Sequence, residues 1–527
     1  MMKTVVVCDA IHQKGFELLE KEDDIKVIDA TSLAKDELLK VIVNADVAIT
    51  RSPTEIGSKF LDAGKNLTAI VRAGVGVDNV DIENASKKGI IIMNVPTANT
   101  IAAVEMTMCH ILNCARKFIN SSNDLKINRN WKREKWYGVE LFGKTLGIIG
   151  FGNIGSRVAQ RAMAFGMNII AYDPYIDPTK VTSMGGVYTE NLDDILKNSD
   201  FITIHTPKTN ETIDIISQKD LDKLKDGVRL INCARGGLYN EAMLVKGLKS
   251  GKIASLGIDV LEKEPATNHE LLEFENVGVT PHLGANTYES QEKIAIAAAE
   301  QAISAIRGIS YPNALNLPIR KDSIPEFVVP YIELISKMAY FGAQISNGSI
   351  REIHLKAEGD IGSYAESMLI FAIVGAMKHI LGDHINYVNA KFVAEEKDIK
   401  TSVATLEEKD YRNKATISLI TQSGITEISG TVFSQTEQRI VSINGFKTDF
   451  KPKGKMIVFK NRDVPGVIMS VASILKDANI NIADFRLGRG EEGYALAVIL
   501  LDENISKDII AKISNLSNCV WAHYAVL

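Results

Sequence analysis

The feature that most constrains this chain is a short apolar run followed at once by three spaced glycines, in residues 144–155 (KTLGIIGFGNIG). Residues 146–149 suit a strand buried on both faces, and Gly150, Gly152 and Gly155 fit the G-x-G-x-x-G turn that opens a helix. The first glycine permits a tight turn, the second lets the backbone approach a pyrophosphate, and the third lets the helix pack closely on the strand. The positive end of that helix would face the phosphates. The stretch therefore predicts a dinucleotide-binding turn.

An acidic residue at the end of the next apolar run indicates which dinucleotide binds. Residues 168–172 form that run, and Asp173 follows it, about 20 residues after the glycines as the fingerprint requires. A carboxylate there can accept hydrogen bonds from the ribose hydroxyls and would repel a 2′-phosphate. No arginine follows Asp173 closely. The sequence therefore favours NAD over NADP.

Length and composition exclude several classes of protein. A chain of 527 residues predicts roughly three to four domains, and 46% hydrophobic with 24% charged residues is typical of a soluble globular protein. The net charge is −5 and the two signs are interspersed, which gives no field suited to nucleic acid or an anionic membrane. The N-terminus runs directly into a strand-like segment, and we expect no apolar run of the ~18 residues that span a membrane. We therefore expect a cytoplasmic protein without nucleic-acid or membrane partners.

The five cysteines, Cys8, Cys109, Cys114, Cys233 and Cys519, are scattered and odd in number, which favours reduced thiols. No Cys/His cluster has zinc-site spacing, so no metal site is predicted.

Apolar runs and helical patterns alternate in two successive series. The first covers residues 3–95, and the second begins at Lys144 and contains six predicted strands, enough for a complete Rossmann sheet. A long helix over 101–118 would connect the two series, and a helix over 287–307 would return the chain to the first domain. Two parallel, doubly wound sheets are therefore expected.

The C-terminal part has a different pattern. Strands are predicted at 351–357, 385–393, 415–421, 426–433 and 437–443, with a helix over 363–381. From Met456 onward the order of elements is βαββαβ, which is ferredoxin-like. The predicted fold class is α/β: a Rossmann-type sheet, a flavodoxin-like domain, a mixed α/β domain and a βαββαβ module.

Three polar residues follow predicted strands of the second series, where ligands bind in open parallel sheets. Arg235 has the fork geometry to clamp a carboxylate and polarise an adjacent oxygen, and His282 can remove a hydroxyl proton near neutral pH. Glu264 would orient the imidazole. Taken singly, they are equally well a surface arginine, a solvated glutamate and a histidine bonded to a loop carbonyl. Their convergence on one sheet edge favours an active site.

These motifs resemble those of the D-isomer-specific 2-hydroxyacid dehydrogenases over residues 1 to about 317. The similar stretches are 150–155 with Asp173, 232–237 (NCARGG), 259–265 (DVLEKEP) and 281–285 (PHLGA). The resemblance implies that Arg235 binds and polarises substrate, that Glu264 supports the histidine, and that His282 donates and accepts the proton. It further implies an NAD site lined by Gly150, Gly152, Asn153, Ile154, Gly155, Asp173, Thr206, Cys233, Arg235, Asp259, His282, Gly284 and Ala285.

Residues 72–81, residues 94–96 and the C-terminal module are similar to a long form within this family. That resemblance implies NAD-dependent oxidation of D-3-phosphoglycerate to 3-phosphohydroxypyruvate, the first step towards serine, with feedback by serine and a homodimeric or homotetrameric assembly. The implied domains are a substrate-binding domain (1–98, completed by 286–317), an NAD-binding domain (99–285), an intervening regulatory domain (318–453) and an ACT domain (454–527).

A substrate with a phosphate and a carboxylate requires further cations. Arg51, Arg72, Arg133 and Lys135 are the candidates, the last two in a stretch similar to the family's substrate-covering loop. A charged run of that kind is equally typical of a solvated loop.

The ACT resemblance assigns effector serine to Asn461, Asp463 and Asn481. The alternative is that these residues form a turn, cap a helix and begin a strand. Lys447 and Lys451 are candidates for holding an anion on the preceding domain.

Two other functions fit the same motifs. One is reduction of glyoxylate or hydroxypyruvate by the same three residues. The other is a non-catalytic, NAD-sensing regulatory partner protein of the same fold.

Overall fold

The computed structural model describes residues 2–318, 324–407, 410–434, 436–490 and 492–527. The described residues form four β-sheets with helices packed on them, which confirms the predicted α/β class.

The first sheet has five parallel strands in the order β2-β1-β3-β4-β5, which is the flavodoxin-like order. Strands β3 and β5 are buried along their whole length because helices cover both faces of the sheet. The strand β2 was not predicted, since it lies at the edge and mixes polar with apolar residues. The elements are β1 Lys3–Val7, α1 Gln13–Glu20, β2 Ile25–Asp29, α2 Lys35–Ile42, β3 Val47–Thr50, α3 Ser58–Ala63, β4 Ala69–Arg72, α4 Ile82–Lys87 and β5 Ile91–Asn94.

The second sheet has seven parallel strands in the order β8-β7-β6-β9-β10-β11-β12, a Rossmann sheet with one added strand. The six predicted strands are all present; the seventh, β8, has only three residues. The elements are α5 Thr100–Arg116, α6 Phe118–Lys126, β6 Thr145–Ile149, α7 Gly155–Ala164, β7 Asn168–Tyr172, α8 Thr179–Thr182, β8 Val187–Thr189, α9 Leu192–Asn198, β9 Phe201–Ile204, β10 Val228–Asn232, α10 Glu241–Ser250, β11 Ile253–Ile258 and β12 Val277–Val279.

The chain crosses between these two sheets twice. It first crosses by α5, and then returns through α11, Tyr288–Ile306, as predicted. The apolar side of α11, including Ile294 and Ala298, is buried in the core of the first sheet. Just beyond it, Arg307 forms ion pairs with Glu22 and with Asp24. The first domain is therefore built from two separate segments of the chain.

The third sheet is mixed, with six strands in the order β14-β13-β15-β16-β17-β18. Strands β13 and β14 are parallel, and the remaining neighbours are antiparallel. The elements are α12 Val329–Ile345, β13 Ile350–Gly359, α13 Ala365–Leu381, α14 Ala390–Glu396, β14 Lys400–Leu406, β15 Asn413–Thr421, β16 Gly424–Phe433, β17 Glu437–Ile443 and β18 Phe446–Phe450.

The predicted strand over 385–393 is wrong. The Asn386 side chain accepts hydrogen bonds from the backbone N–H groups of Val388 and Asn389, at 2.9 and 3.3 Å, and so makes a turn. The helix α14 begins directly after this turn. The apolar alternation that predicted a strand belongs to that turn and the start of a helix.

One helical stretch, Asp360–Leu381, is long and apolar enough to cross a membrane by length and composition, contrary to the sequence expectation. Half of its most apolar window is buried inside the fold. Within it, α13 packs on α12 in the core of the third sheet, and Glu366 interrupts the apolar run. This packing is that of a core helix.

The fourth sheet is antiparallel, with the order β20-β21-β19-β22, and confirms the βαββαβ module. Its elements are β19 Lys455–Arg462, α15 Val467–Asp477, β20 Ile482–Arg489, β21 Tyr494–Leu501, α16 Lys507–Ser514 and β22 Cys519–Val526. The four sheets are consistent with the predicted domain boundaries, which remain a proposal. The boundary at 317/318 adjoins residues 319–323, which lie outside the described residues.

Candidate active site

The glycine turn between β6 and α7 has the geometry that a dinucleotide needs. Gly150 has φ +89°, a conformation that other residues rarely adopt. A Cβ at Gly155 would lie 2.1 Å from the carbonyl oxygen of Gly150, so only glycine lets the helix approach so closely. At Gly152, no heavy atom of the described residues lies within 4 Å of the Cβ position. The turn is therefore tight inside the protein and open on its outer side.

Asp173 lies beside this turn, at the end of β7. Its Oδ2 accepts a hydrogen bond from Phe151 N at 2.8 Å, and its Oδ1 accepts one from Tyr175 N at 3.0 Å. The carboxylate is thereby fixed next to the glycines while remaining only half-buried. This is where the ribose of a dinucleotide lies in such sheets.

A cleft of about 410 Å³ lies between the first two domains and is lined by eight of the predicted catalytic and cofactor residues. The Thr206 hydroxyl oxygen in this cleft is buried and has no hydrogen-bond partner among the described residues. A buried polar atom of this kind is satisfied when a polar ligand binds. The predicted residues that line the cleft are Asn153, Ile154, Thr206, Cys233, Arg235, His282, Gly284 and Ala285.

His282 and Glu264 form a hydrogen-bonded pair, with 2.7 Å between Nδ1 and Oε2. The His282 backbone has φ +53°, and its N–H donates to the carbonyl oxygens of Asp259 and Thr280. The other carboxylate oxygen of Glu264 accepts a hydrogen bond from Leu261 N at 3.0 Å. Because Nδ1 faces the carboxylate, Nε2 is the imidazole nitrogen that can reach a substrate.

The surroundings of Glu264 keep it ionised. Its partial burial raises the pKa, but the hydrogen bonds from His282 and Leu261 and the charges of His282 and Arg235 outweigh that effect. The net result is a pKa below the ordinary value of 4.5. Glu264 is therefore negatively charged at neutral pH and can stabilise a protonated imidazole.

Arg235 crosses the cleft and contacts the first domain. Its Nε lies 3.0 Å from Oδ2 of Asp78, and its Nη1 donates to the Ala234 carbonyl oxygen at 2.8 Å. A Cβ at Gly76 would lie 1.9 Å from Arg235 Nη2, so the guanidinium packs directly on that backbone. Arg235 thus connects the two domains across the cleft.

Two further arginines from the first domain lie near Arg235. Burial, followed by the charges of Arg235 and Arg51, lowers the pKa of Arg72 to about 10. Arg72 Nη2 donates to the Ser52 hydroxyl at 2.6 Å, but its Nε is buried without a hydrogen-bond partner among the described residues. Arg51 Nη1 donates to the Ala10 carbonyl oxygen at 2.9 Å. The charges of Arg235 and Arg51 act on Arg72, so the three guanidinium groups lie near one another, but only Arg235 lines the cleft itself.

The structure does not bring Arg133 and Lys135 to this cleft within one chain. The N-terminus of α5 lines the cleft, while residues 131–138 lie beside its C-terminus, roughly 25 Å away for a helix of 17 residues. Lys135 is paired there with Glu275, at 2.5 Å. A substrate-binding role for these two residues remains a prediction.

Asp259 lies beneath the cleft surface, with only 1% of its area exposed. Its carboxylate accepts hydrogen bonds from the N–H groups of Leu283 and Gly284, each at 2.7 Å. These bonds attach it to the loop that carries His282. Direct contact between Asp259 and the cofactor also remains a prediction.

Among the titratable residues that line the cleft, three were not predicted, namely Asp78, His205 and Lys208. Burial lowers the pKa of His205 to about 3, so that ring is neutral. The position of Asp78 in the stretch 72–81, which follows β4, could have identified it in the sequence. His205 and Lys208 likewise follow β9. Each lies after a strand at the carboxyl edge, which is the rule that located Arg235.

The candidate effector residues are divided between two ends of the ACT sheet. Asn461 is buried at the end of β19, with its Oδ1 lacking a partner among the described residues, and Asp463 Oδ2 lies 3.0 Å from Arg489 Nε. Asn481 donates to Asp502 Oδ2 at 2.6 Å, at the opposite end of β20, roughly 24 Å along that strand. Asp463 does not cap α15, whose N-cap is Gly466.

Lys447 and Lys451 lie on and just after β18. Lys451 Nζ is 3.2 Å from Glu437 Oε1, so it is paired with a carboxylate in this conformation. Anion binding by these lysines remains a prediction.

Family models match three stretches of the chain. Residues 108–284 match the D-isomer specific 2-hydroxyacid dehydrogenase, NAD binding domain. Residues 327–444 match the D-3-phosphoglycerate dehydrogenase intervening domain, and residues 455–518 match the ACT domain.

Similarity to curated proteins extends over nearly the whole chain. A D-3-phosphoglycerate dehydrogenase of Methanocaldococcus jannaschii is 36% identical over 520 residues, which cover 98% of each chain. One from Bacillus subtilis is 34% identical over 524 residues, again 98% of each chain. Among solved structures, D-lactate dehydrogenase from Aquifex aeolicus, complexed with NAD and lactic acid, is 29% identical with a TM-score of 0.51, over 58% of this chain and 96% of that one. The pyruvate reductase of Chlamydomonas reinhardtii is 26% identical with a TM-score of 0.53, over 59% and 99%.

The chain therefore belongs to the D-isomer-specific 2-hydroxyacid dehydrogenases, and it is an oxidoreductase that uses NAD. Its similarity to the D-3-phosphoglycerate dehydrogenases includes the intervening and ACT domains as well as the catalytic part. The ACT domain indicates that a small-molecule effector acts on the enzyme.

Proposed function

We propose that this enzyme oxidises D-3-phosphoglycerate to 3-phosphohydroxypyruvate with NAD, the first step of serine biosynthesis. The observation that carries the proposal is that Arg235 lies beside the His282–Glu264 pair and that Arg72, followed by Arg51, lies close to Arg235 on the side of the first domain. One guanidinium group is enough to bind the substrate carboxylate. The other two are therefore available for a second anionic group, the phosphate. The D-3-phosphoglycerate dehydrogenases that are similar over the full chain support the same substrate.

When bound, NAD supplies the acceptor for the hydride that leaves substrate C2. His282 Nε2 takes the proton as the O–H bond breaks, and the C2–O bond becomes a carbonyl. Glu264 holds the ring by Nδ1 and stabilises the imidazolium that forms. Arg235 binds the substrate carboxylate and polarises the C2 oxygen, which requires it to release Asp78. In reduction, the same imidazole returns the proton to the oxygen.

Arg51 and Arg72 bind the phosphate. Arg235 and Arg51 repel Arg72, the carboxylates of Asp78 and Asp9 offset this only in part, and burial raises the energetic cost of the charges on Arg51 and Arg72. A dianionic phosphate relieves both penalties, whereas a substrate without phosphate relieves little. Selectivity for the phosphorylated acid follows from this difference.

The assay that tests the proposal is NADH consumption with 3-phosphohydroxypyruvate, compared with hydroxypyruvate and glyoxylate. We expect the highest kcat/KM for the phosphorylated acid. Equal values for hydroxypyruvate would replace the proposal with a glyoxylate or hydroxypyruvate reductase. Binding of NADH without turnover of any 2-oxo acid would instead indicate an NAD-sensing regulatory protein.

We infer that the effector of the ACT domain is L-serine, bound between two copies of the domain. Asp463 offers a carboxylate for an ammonium group, and Asn481 offers an amide for a carboxylate. Because they lie at opposite ends of β20, one serine reaches both only if a second copy supplies one of them.

A homodimer or homotetramer is also supported by an apolar surface around α6. Large exposed apolar side chains of this kind mark an interaction surface. They are Phe118, Ile119, Leu125, Ile127, Trp131, Tyr137 and Phe142.

We place the enzyme in the cytoplasm because its five cysteines are all free thiols.

A further inference from the structure

A buried chain of polar side chains runs beneath the catalytic loop. His110, on α5, has 2% of its surface exposed, and its Nε2 lies 2.9 Å from the Thr280 hydroxyl oxygen. The Thr280 hydroxyl in turn lies 2.5 Å from Oδ1 of Asp259. Three residues from one helix and two strand ends are thus linked in series.

The direction of each hydrogen bond in this chain follows from the atoms available. A carboxylate only accepts, so the single Thr280 hydroxyl proton is donated to Asp259. The Thr280 oxygen must then accept from His110, which places the imidazole proton on Nε2. Nδ1 is buried without a partner among the described residues, and burial lowers the pKa of His110, so the ring is neutral.

Asp259 is the junction between this chain and the catalytic loop. Its carboxylate accepts the N–H groups of Leu283 and Gly284, and its backbone carbonyl accepts the N–H of His282 at 2.9 Å. His282 itself has the left-handed φ of +53° that a non-glycine residue adopts only when its surroundings hold it there. Orientation of the Asp259 carboxylate therefore sets the position of the imidazole.

The sequence provides space for the polar side chain on α5. A Cβ at Gly257, on β11, would lie 2.9 Å from the Cβ and 3.1 Å from Nδ1 of His110. Only glycine at this position leaves room for the ring. An apolar side chain of similar size would fill the same space without leaving Nδ1 unpaired, so packing alone does not account for a histidine.

We propose that His110 and Thr280 are positioning residues for the reaction, which hold the His282–Gly284 loop in its catalytic geometry through Asp259. The proposal rests on the acid–base role given to His282 under the proposed function. It also connects the catalytic loop to α5, one of the two segments that join the domains.

The test compares five variants of the full-length enzyme, two of them at His110. His110→Leu removes the donor at similar volume, and we expect kcat to fall roughly tenfold or more, as small misplacements of reacting groups do. His110→Gln keeps an N–H donor at a similar reach, and we expect it to recover most of that loss. NADH affinity, measured by fluorescence, should fall far less than kcat in both variants, because the glycine turn and Asp173, which are predicted to bind the cofactor outside this loop, are untouched.

Cys114→Ala is the matched control. Cys114 lies on the same face of the same helix, is 2% exposed and approaches Gly257, but its thiol hydrogen-bonds with Ser255 rather than with a residue of the His110–Thr280–Asp259 chain. A purely structural effect would lower Tm and kcat alike in His110→Leu and Cys114→Ala. The proposal requires that only the loss of the His110 donor lowers kcat beyond what the change in Tm accounts for.

A double-mutant cycle with Thr280→Val locates the effect. If His110 acts through Thr280, the double variant should lose no more activity than Thr280→Val alone. Additive losses, or wild-type kcat in His110→Leu, would overturn the proposal. The ratios of kcat between each variant and the wild type are measured with whichever 2-oxo acid the wild type reduces fastest. A wrong substrate assignment would therefore not affect these ratios. Complete inactivity of the wild type would instead reject the proposed function, and with it this inference.

Discussion

The residues of the catalytic pair are each held from two sides. Glu264 is fixed by the Leu261 N–H and by His282, and His282 is fixed by Glu264 and by two backbone carbonyls. We expect His282→Asn to lower kcat by about 10²-fold or more, because the proton acceptor is lost while the loop keeps a residue that tolerates positive φ. NADH titration by fluorescence should show unchanged binding. Wild-type turnover in this variant would remove His282 from the acid–base step.

The lowered pKa of Glu264 predicts a pH dependence of stability. A carboxyl group with a folded-state pKa below its ordinary 4.5 stabilises the fold above that pH, and the contribution is lost as the pH falls through the folded-state value. Glu264→Gln removes this contribution. The Tm difference between wild type and variant should therefore be largest near neutral pH and shrink below about pH 4.5, as followed by thermal unfolding. A difference that is constant with pH would contradict the ion pair.

Arg72 provides the residue-scale test of substrate choice. Arg72→Met keeps the apolar stem of the side chain and removes the buried charge. It should raise the KM for 3-phosphohydroxypyruvate by roughly 10-fold or more, because a charged hydrogen bond to the phosphate is lost. Hydroxypyruvate serves as the internal control because it carries no phosphate. An equal rise in KM for both acids would show that Arg72 does not bind the phosphate.

Among the elements of the fold, the turn between β6 and α7 allows an effect on stability to be distinguished from an effect on cofactor binding, because two of its glycines have different surroundings. Gly155→Ala would place a Cβ 2.1 Å from a backbone oxygen and should lower the free energy of unfolding by about 1–3 kcal/mol. Gly152→Ala meets open space, so it should leave Tm unchanged while weakening NADH binding, because the new methyl group lies where the pyrophosphate approaches. Thermal unfolding and NADH titration measure both variants. The reverse pattern would show that the pyrophosphate lies elsewhere.

Much of the fold was predictable because buried parallel strands are apolar along their length and end at recognisable turns. That pattern located all six main Rossmann strands and, through their carboxyl ends, Arg235, Glu264 and His282. The strands β2, β8, β14 and β18 were missed because they lie at sheet edges, where polar residues interrupt the signal. Asp78 and the His110 chain were missed because each forms between segments far apart in sequence, which periodicity does not report.

At the scale of the whole molecule, regulation requires the ACT domain to act on a site in other domains. We expect L-serine to inhibit the full-length enzyme and Asp463→Ala to weaken that inhibition without changing uninhibited kcat, because Asp463 lies in the fourth sheet, outside the catalytic cleft. The measurement is NADH consumption against serine concentration, with D-serine as the control. Inhibition of the variant identical to that of the wild type would exclude the proposed pocket.

The two crossings between the first domains, α5 and the segment that enters α11, have a mechanical consequence. A domain that is connected to its neighbour at two points has one low-energy motion, which is rotation about the line through those points. Sliding and twisting would strain one connection or the other. Arg235 belongs to the second domain, and its ion-pair partner Asp78 belongs to the first. The distance between these two opposite charges should then open and narrow along a single arc, so one distance across the cleft, measured with paired fluorescent labels, is enough to follow closure.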